Sequence, residues 1–356
     1  TDKGYKQIAD IKIGDLVLTH NNQFKKVVNT SKNISNDIYE IKIMGVPKTL
    51  VTSNHPYYVR KMYKKYNSST QTNTRFFADA EWKNVSDLEK GDYIGIAINQ
   101  NSVIPQGELP FDNNDFWWII GRYIGDGWYK NERPNNKQQG EYNTIICVGK
   151  HELHEVTVVL DRLKDYFNYF VTEEKTVYRI NILSKALWTF VGQFGKKAHN
   201  KRLTNVIFDL PIDLLQSFID GYASADGYLD ETMTYHITTV SKELAYGVSA
   251  CINKAYKRPT SMGYYRKKDS YIDGRRIVGR NQYIISFRKI GIKKEQAFYE
   301  NGYIWSPFRK KIKLSLKENV YNMEVEEDHS YTANNAIVHN CANILLDKDI
   351  EKEIGV

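Results

Sequence analysis

Two pairs of internal repeats constrain this chain more than any single motif does. In the first pair, YKQIADIKIGDLV at 5–17 returns as WKNVSDLEKGDYI at 82–94, an offset of 77 residues. A Lys, an apolar/small/Asp/apolar run and a Gly-Asp recur in both copies. Gly-Asp supplies a turn, so each copy reads as a turn-rich lead into a strand. Around them, IYEIKIM, TLVTS and YIGIAI alternate or run β-branched, so residues 1–99 read as all-β, with a polar insertion, KKYNSSTQTNT, at 64–74. In the second pair, WWIIGRYIGDGWY at 117–129 returns as FIDGYASADGYL at 218–229, an offset of 100. Both copies read as helices that stop at the Gly after the Asp, each followed by mixed strand and helix patterns. From 303 the β character returns in YIWSPF, VYNMEV and AIVHN. The expected architecture is an all-β body interrupted by an α+β insert of two similar halves.

Composition narrows the classes. A length of 356 residues suits two or three domains. Apolar residues at 41% and charged ones at 26% exclude broad disorder, and only 8 Pro exclude collagen-like or Pro-rich chains. No apolar run approaches the roughly 18 residues of a spanning helix, so no membrane association is expected. The opening TDKGYKQIADIK lacks the apolar core of a secretory signal, and without an initial Met the left edge is expected to be cut. Three scattered cysteines, Cys147, Cys251 and Cys341, argue against a disulfide framework or structural zinc and favour a reducing, intracellular setting. Charge is concentrated: residues 257–295 hold 12 Lys/Arg and three acids, a net of +9 in a chain of +8. Tyr264, Tyr265, Tyr271 and Tyr283 interleave with those cations, as suits a strand ribbon lying on nucleic acid.

The second repeat carries chemistry. Gly121 and Gly125, and Gly221 and Ala225, fall four apart, which stacks small residues on one helix face and lets a partner helix approach. If the two helices pack there, Asp126 and Asp226 meet at their C-terminal ends. Two carboxylates beside partially negative helix ends repel unless a divalent cation sits between them. Two acids with bound Mg²⁺ are a minimal kit for phosphodiester hydrolysis. One Asp-Gly alone would be a plain helix stop. The tail AIVHNCANILL sets His339, Asn340 and Cys341 in a row. An Asn amide can attack its own carbonyl and break the following peptide bond, helped by a neighbouring imidazole. Cys341 is a thiol able to accept an acyl group. Alone, HNC is a weak signal.

IIGRYIGDG (119–127) and IDGYASADG (219–227) resemble the LAGLIDADG motif of homing endonucleases in its single-chain, two-half form. The resemblance implies that Asp126 and Asp226 hold the catalytic metals, with Ile124 and Ser224 standing where the motif has an earlier, structural Asp. KKAHNKRLTNVIFDLP (196–211) resembles the family's lysine block, with Lys201 the best match; Lys289, Lys293 and Lys294 stay open for the second half. By the same resemblance each half is of αββαββα type and lays a four-stranded sheet into the major groove. Arg266, Lys267, Lys268, Arg275, Arg276 and Arg280 would then touch phosphates and base edges.

Thr52-x-x-His55, the segment 320–341 and the Gly-Asp repeat resemble, in order, the blocks of inteins, self-splicing elements of the Hint fold. That resemblance implies that Thr52 and His55 activate an upstream peptide bond. His329, His339 and Asn340 would serve the downstream one, with Cys341 as first residue of the downstream extein. It implies a multidomain chain: Hint residues 1–99 and 303–340, an endonuclease insert at 112–300 (halves 112–210 and 211–300), and an extein stub at 341–356. Splicing would run through an N–S acyl shift, transfer to Cys341, Asn340 cyclisation and an S–N shift, without a cofactor. The N-terminal Cys or Ser of inteins has no match at Thr1, and Asn322 stands where an acid is usual; a neutral amide is no base. The implied function is protein splicing plus Mg²⁺-dependent cleavage of a long asymmetric duplex site by a monomer whose exteins are in cis. The alternative keeps a DNA-binding insert without nuclease activity. A hedgehog-like autoprocessing domain is disfavoured, since that family does not end by Asn cyclisation.

Overall fold

Both copies of the first repeat fold alike, and hydrogen bonding explains why their sequence recurs. Ile8–Asp10 and Val85–Asp87 are 3-10 turns. Gly14 and Gly91 follow at φ +96° and +98°, a region that glycine enters without strain. Strands Leu16–Leu18 and Asp92–Ala97 then begin. Asp15 accepts from the Lys12 N–H and Asp92 from the Glu89 N–H, each at 2.8 Å. Lys6 and Lys83 pair with those same carboxylates at 2.5 and 3.0 Å. Lys, Gly and Asp form one turn device, used twice.

The computed structural model describes residues 1–69, 71–130, 142–266, 268–272, 275–291 and 296–340. They fall into two compact units, one of Thr1–Asp2, Lys6–Asn99 and the chain from Ile292, the other of Lys3–Tyr5 and Gln100–Gly291. In the first unit, chain from both sides of the insert shares the same sheets. Tyr303–Leu314 lies between Asp92–Ala97 and Ile38–Ile43 and pairs antiparallel with both. Phe24–Ser35 pairs with Glu318–Val325, from Val27↔Val325 to Ser35↔Glu318. Ala336–His339 pairs with Pro56–Asn67 and Asp92–Ala97. One core of Val27, Ile41, Val59, Ile94, Ile304 and Val338 results. Each such side chain contributes about 1.5–3 kcal/mol when fully buried, so neither stretch closes this core alone. The polar insertion continues as strand, with Pro56–Asn67 and Thr72–Phe77 pairing from Met62↔Phe77. The insert expected to reach 300 ends earlier: Phe298–Glu300 pairs with Tyr303–Leu314, and Phe298 packs on Phe77 at 4.3 Å.

The second unit is mixed α/β, with two halves of one topology. Helix Asn114–Asp126 leads into Gly127–Tyr129 and helix Ile212–Asp226 into Gly227–Leu229. In the first half the sheet order is Asn168–Glu173, Val177–Leu183, Asn143–Gly149, Gly127–Tyr129; in the second it is Ser261–Arg266, Asn281–Phe287, Tyr235–Thr239, Gly227–Leu229. Helix Leu153–Arg162 in one half matches Lys242–Tyr256 in the other. Among the described residues no helix is long and apolar enough to cross a membrane.

Candidate functional sites

The helices Asn114–Asp126 and Ile212–Asp226 meet through their small residues. A Cβ on Gly221 would lie 1.9 Å from the Trp118 carbonyl oxygen, and one on Gly121 2.1 Å from that of Phe218. Further along, a Cβ on Gly125 would sit 2.4 Å from the Ala225 Cβ and 3.4 Å from Asp226 Oδ2. Both helices stop at the glycine after the Asp, as the sequence leads one to expect, with Gly127 and Gly227 at φ −99° and −119° and so outside the left-handed region. Glycine is needed because the strand folds straight back, so that a Cβ would meet the Tyr123 and Ala223 carbonyls at 2.6 and 2.5 Å.

Close approach concentrates charge. Burial raises the Asp126 carboxyl above its ordinary range, against the pull of Arg122 and Lys201. Asp226 is pushed up to about 6, first by burial and then by Asp126. Lys201 is 3% exposed, and burial pulls it down to about 8 against both aspartates. Its ammonium donates to the carbonyls of Tyr123, Ile124 and Gly125 at 2.9, 2.6 and 3.1 Å. Lys201 therefore caps the first helix, where the resemblance had it assisting at a phosphate. Arg122, fully buried, donates to Glu152 at 3.1 Å and to the Ser224 carbonyl at 2.5 Å. Its Nε and Nη2 find no partner among the described residues. Sequence reading missed Arg122; a cation inside an apolar helix face was the available signal. Lys289 pairs with Asp220 at 2.6 Å, not with either site aspartate. Among the described residues no group of three or more His, Cys, Asp or Glu is placed to hold a metal ion.

A second cluster lies in the β unit. Hairpin Ser330–Ala333/Ala336–His339 sets Ser330 opposite His339, and the Asn340 N–H donates to the His329 carbonyl at 2.9 Å. His339 Nδ1 is 2.6 Å from the Asn340 carbonyl oxygen. A carbonyl only accepts, so Nδ1 carries the proton and donates. The His329 ring stacks on His339 at 6.5 Å. His329 itself has φ +47°, rare for a side-chain-bearing residue. Its neighbour Asp328 anchors the loop by accepting from the Thr19 hydroxyl and from the Asn21 amide. His55 is buried, and burial followed by the charge of His339 pulls it down to about 4. The His55 N–H donates to the Thr52 carbonyl at 3.2 Å, while the Thr52 hydroxyl donates to Asn54 at 2.7 Å. Thr52, His55 and Asn322 line a cleft of about 400 Å³. Asn322 Oδ1 accepts from the Tyr331 hydroxyl at 3.2 Å. Two aromatic neighbours went unread in the sequence. Trp82 meets His339 edge-on at 4.7 Å, and His20 packs on Trp82 at 5.6 Å with Nδ1 2.7 Å from Ser330 Oγ.

The basic block forms strands Ser261–Arg266, Ser270–Ile272 and Arg275–Ile277, with Arg266, Lys268 and Arg280 exposed. Arg276 is tied to Asp269 at 2.6 Å. Tyr264, Tyr265 and Tyr271 are exposed beside them. Lys267, Lys293, Lys294, Cys341 and the Arg275 side chain lie outside the described residues.

No protein-family model matches the chain. An uncharacterized protein of Methanocaldococcus jannaschii is 25% identical over 96% of this chain and 49% of its own length. An iron-sulfur cluster assembly SufBD family protein of Mycobacterium tuberculosis is 22% identical over 98% of this chain and 42% of its own. A DNA polymerase of Thermococcus litoralis is 24% identical over 77% of this chain and 18% of its own. The chain thus spans half or less of the curated relatives it matches. Among solved structures, the homing endonuclease I-DmoI in complex with DNA and Mn is similar over 49% of this chain and 88% of that one, at 20% identity and TM-score 0.33. The N-terminal LAGLIDADG domain of DUF199/WhiA is similar over 51% and 78%, at 9% identity and TM-score 0.29.

Proposed function

We propose that the chain is a self-excising element of intein type, its Hint body formed by 1–99 and 303–340, with a LAGLIDADG-type DNA endonuclease inserted. One observation carries the reading: His339 Nδ1 donates to the carbonyl of Asn340 at 2.6 Å. Attack of Asn340 Nδ2 on that carbonyl carbon forms a succinimide, breaks the Asn340–Cys341 C–N bond and releases the Cys341 amine with the proton. His339 stabilises the oxygen where negative charge grows. The relatives support the same reading. One stretch is similar inside an iron-sulfur assembly protein and inside a DNA polymerase, whose named roles share nothing. Such a stretch has a function of its own, separable from its host. Thr52 and His55 line a cleft suited to an upstream peptide bond, with neutral Asn322 in place of an acid. Cys341 is the downstream nucleophile, and a reducing interior keeps it a thiol.

The insert is assigned to duplex DNA, cleaved at a long asymmetric site by a monomer. Asp126 and Asp226 are oxygen donors of the kind that hold Mg²⁺ with waters and substrate phosphate. A bound ion supplies charge and an activated water for phosphodiester hydrolysis. Burial and Asp126 push the Asp226 carboxyl up even with Lys201 and Arg122 beside it, so a further positive charge there would be favourable. Arg122 adds a buried positive charge that acts on both carboxylates. A second reading, DNA binding without cleavage, draws support from Lys201, whose ammonium is held by helix carbonyls. Selecting cleaved duplexes from a randomised pool with Mg²⁺ separates the two. Enrichment with the wild type, lost in Asp226→Asn, supports the nuclease; none with either supports the binding module.

A further inference from the structure

The aromatic wall behind His339 in the β unit has more order than strand pairing alone asks for. Glu81–Asn84 pairs with Pro56–Asn67 so that Trp82 stands opposite Tyr58, their rings 5.0 Å apart. The His20 ring packs on both, at 5.6 Å from Trp82 and 5.8 Å from Tyr58. His20 is itself held at both ends of its backbone. Its N–H donates to Ser330 Oγ at 3.0 Å, and its carbonyl accepts from the Tyr303 hydroxyl at 2.6 Å. Trp82 is thereby wedged in place, although 36% exposed. Its closest ring contact in this group is His339, met edge-on at 4.7 Å. The repeat to which Trp82 belongs does not demand that contact. In both copies the turn is closed by Lys, Gly and Asp, and the matching place in the first copy holds Tyr5, whose ring packs on Tyr246 instead.

His339 ends its strand, and its Nδ1 donates to the carbonyl of the next residue, Asn340, at 2.6 Å. That bond depends on which way the ring faces. The outer torsion of a histidine is broad and roughly two-fold, so a half-turn would put a C–H where Nδ1 stands. A neutral ring can also carry its proton on Nε2, which leaves Nδ1 an acceptor with nothing to offer a carbonyl. The ring therefore needs a neighbour that fixes it. His329 is the more distant one, at 6.5 Å, and Trp82 the nearer. We propose that Trp82 is a positioning residue for cleavage after Asn340: packed against the His339 ring, it keeps Nδ1 and its proton on the Asn340 carbonyl. The inference rests on the self-excision reading and deepens it, since Trp82 acts through His339 and not on the bond itself.

The test reads a rate and a ring signal, both in the full chain. Trp82→Ala should slow release of the peptide after Asn340 by about 10–10²-fold, the usual cost of a displaced reacting group. Trp82→Phe, which keeps a ring in place, should lie between that and the wild type, and thermal melts check that both variants fold. On top of His339→Gln, Trp82→Ala should cost less than about twofold more, because residues acting through one ring are not additive. The ring itself is read by ¹⁵N-histidine NMR at about pH 8, above the ordinary imidazole range. The chain for this carries Asn340→Ala, which keeps the carbonyl at 340 and cannot cyclise. Its His339 signal should be that of the Nδ1–H form, and adding Trp82→Ala should move it toward the Nε2–H form. A Trp82→Ala chain that cleaves at the wild-type rate, a loss that adds in full to that of His339→Gln, or an unchanged ring signal would overturn the proposal. A wild type that never cleaves sinks the self-excision reading instead, and the ring signal then still decides whether Trp82 orients His339.

Discussion

The two candidate sites face opposite electrostatic problems. In the β unit, burial keeps His55 neutral by pulling it down to about 4. In the insert, burial pushes Asp226 up to about 6, with Asp126 adding to it. Burial penalises the charged form in both places, yet the consequences differ. A neutral imidazole needs no counter-charge. A crowded pair of carboxylates leans on the cations packed beside it, Arg122 and Lys201. The contrast teaches that the same burial leaves an imidazole neutral and a carboxylate pair dependent on positive charge nearby.

Separate chemistry means separate losses. His339→Gln should slow release of the peptide after Asn340 by about 10²–10⁴-fold, the usual worth of a positioned acid–base group. DNA cleavage should be untouched. Asp226→Asn should abolish Mg²⁺-dependent cleavage and leave peptide release at the wild-type rate, followed by mass spectrometry. Either variant damaging the other activity breaks the comparison. The packing behind the carboxylate pair comes next. Gly221→Ala forces a Cβ to within 1.9 Å of a backbone oxygen and should destabilise the insert by about 3 kcal/mol. Gly192→Ala, with nothing within 4 Å and a helical backbone, should stabilise it by about 0.5–1 kcal/mol. Calorimetry of both variants checks this.

Stability against pH sharpens the contrast, because the signs are opposite. Asp226 has a raised folded pKa, so its contribution is full below about 4 and is lost as pH rises to about 6. Asp226→Asn should therefore stabilise the metal-free chain at pH 8 by on the order of 2 kcal/mol and make no difference below pH 4. His55 has a lowered pKa, so its contribution is full above about 6.5 and is lost as pH falls toward about 4. Denaturation series with and without EDTA test both. The smallest expected effect is at Arg280, exposed on the basic block: Arg280→Ala should cut the salt slope of duplex binding by about 0.9.

What could be read from the sequence was what local geometry decides. The Lys, Gly and Asp of the first repeat were legible because they serve a turn closed within a few residues. Gly121 and Gly221 were legible because helix periodicity alone stacks small residues on one face. Gly127 was legible as the end of its helix, but the close approach that requires glycine there depends on the strand folding back over Tyr123, a tertiary fact. Lys201 was found by motif, but its ammonium is aimed by carbonyls far away in sequence. Trp82 and His20 carried no signal, since strand pairing across the insert brings them to His339. Interleaving of Tyr303–Leu314 between Asp92–Ala97 and Ile38–Ile43 is likewise a choice of topology that periodicity cannot make.

The most direct test is the mass of the purified chain over time, wild type beside Asn340→Ala. The account predicts a wild-type product ending in an Asn340 succinimide, together with a free fragment beginning at Cys341, and neither from the variant. An Asn340→Ala chain that still splits at this bond, or a wild type that never does, would contradict it.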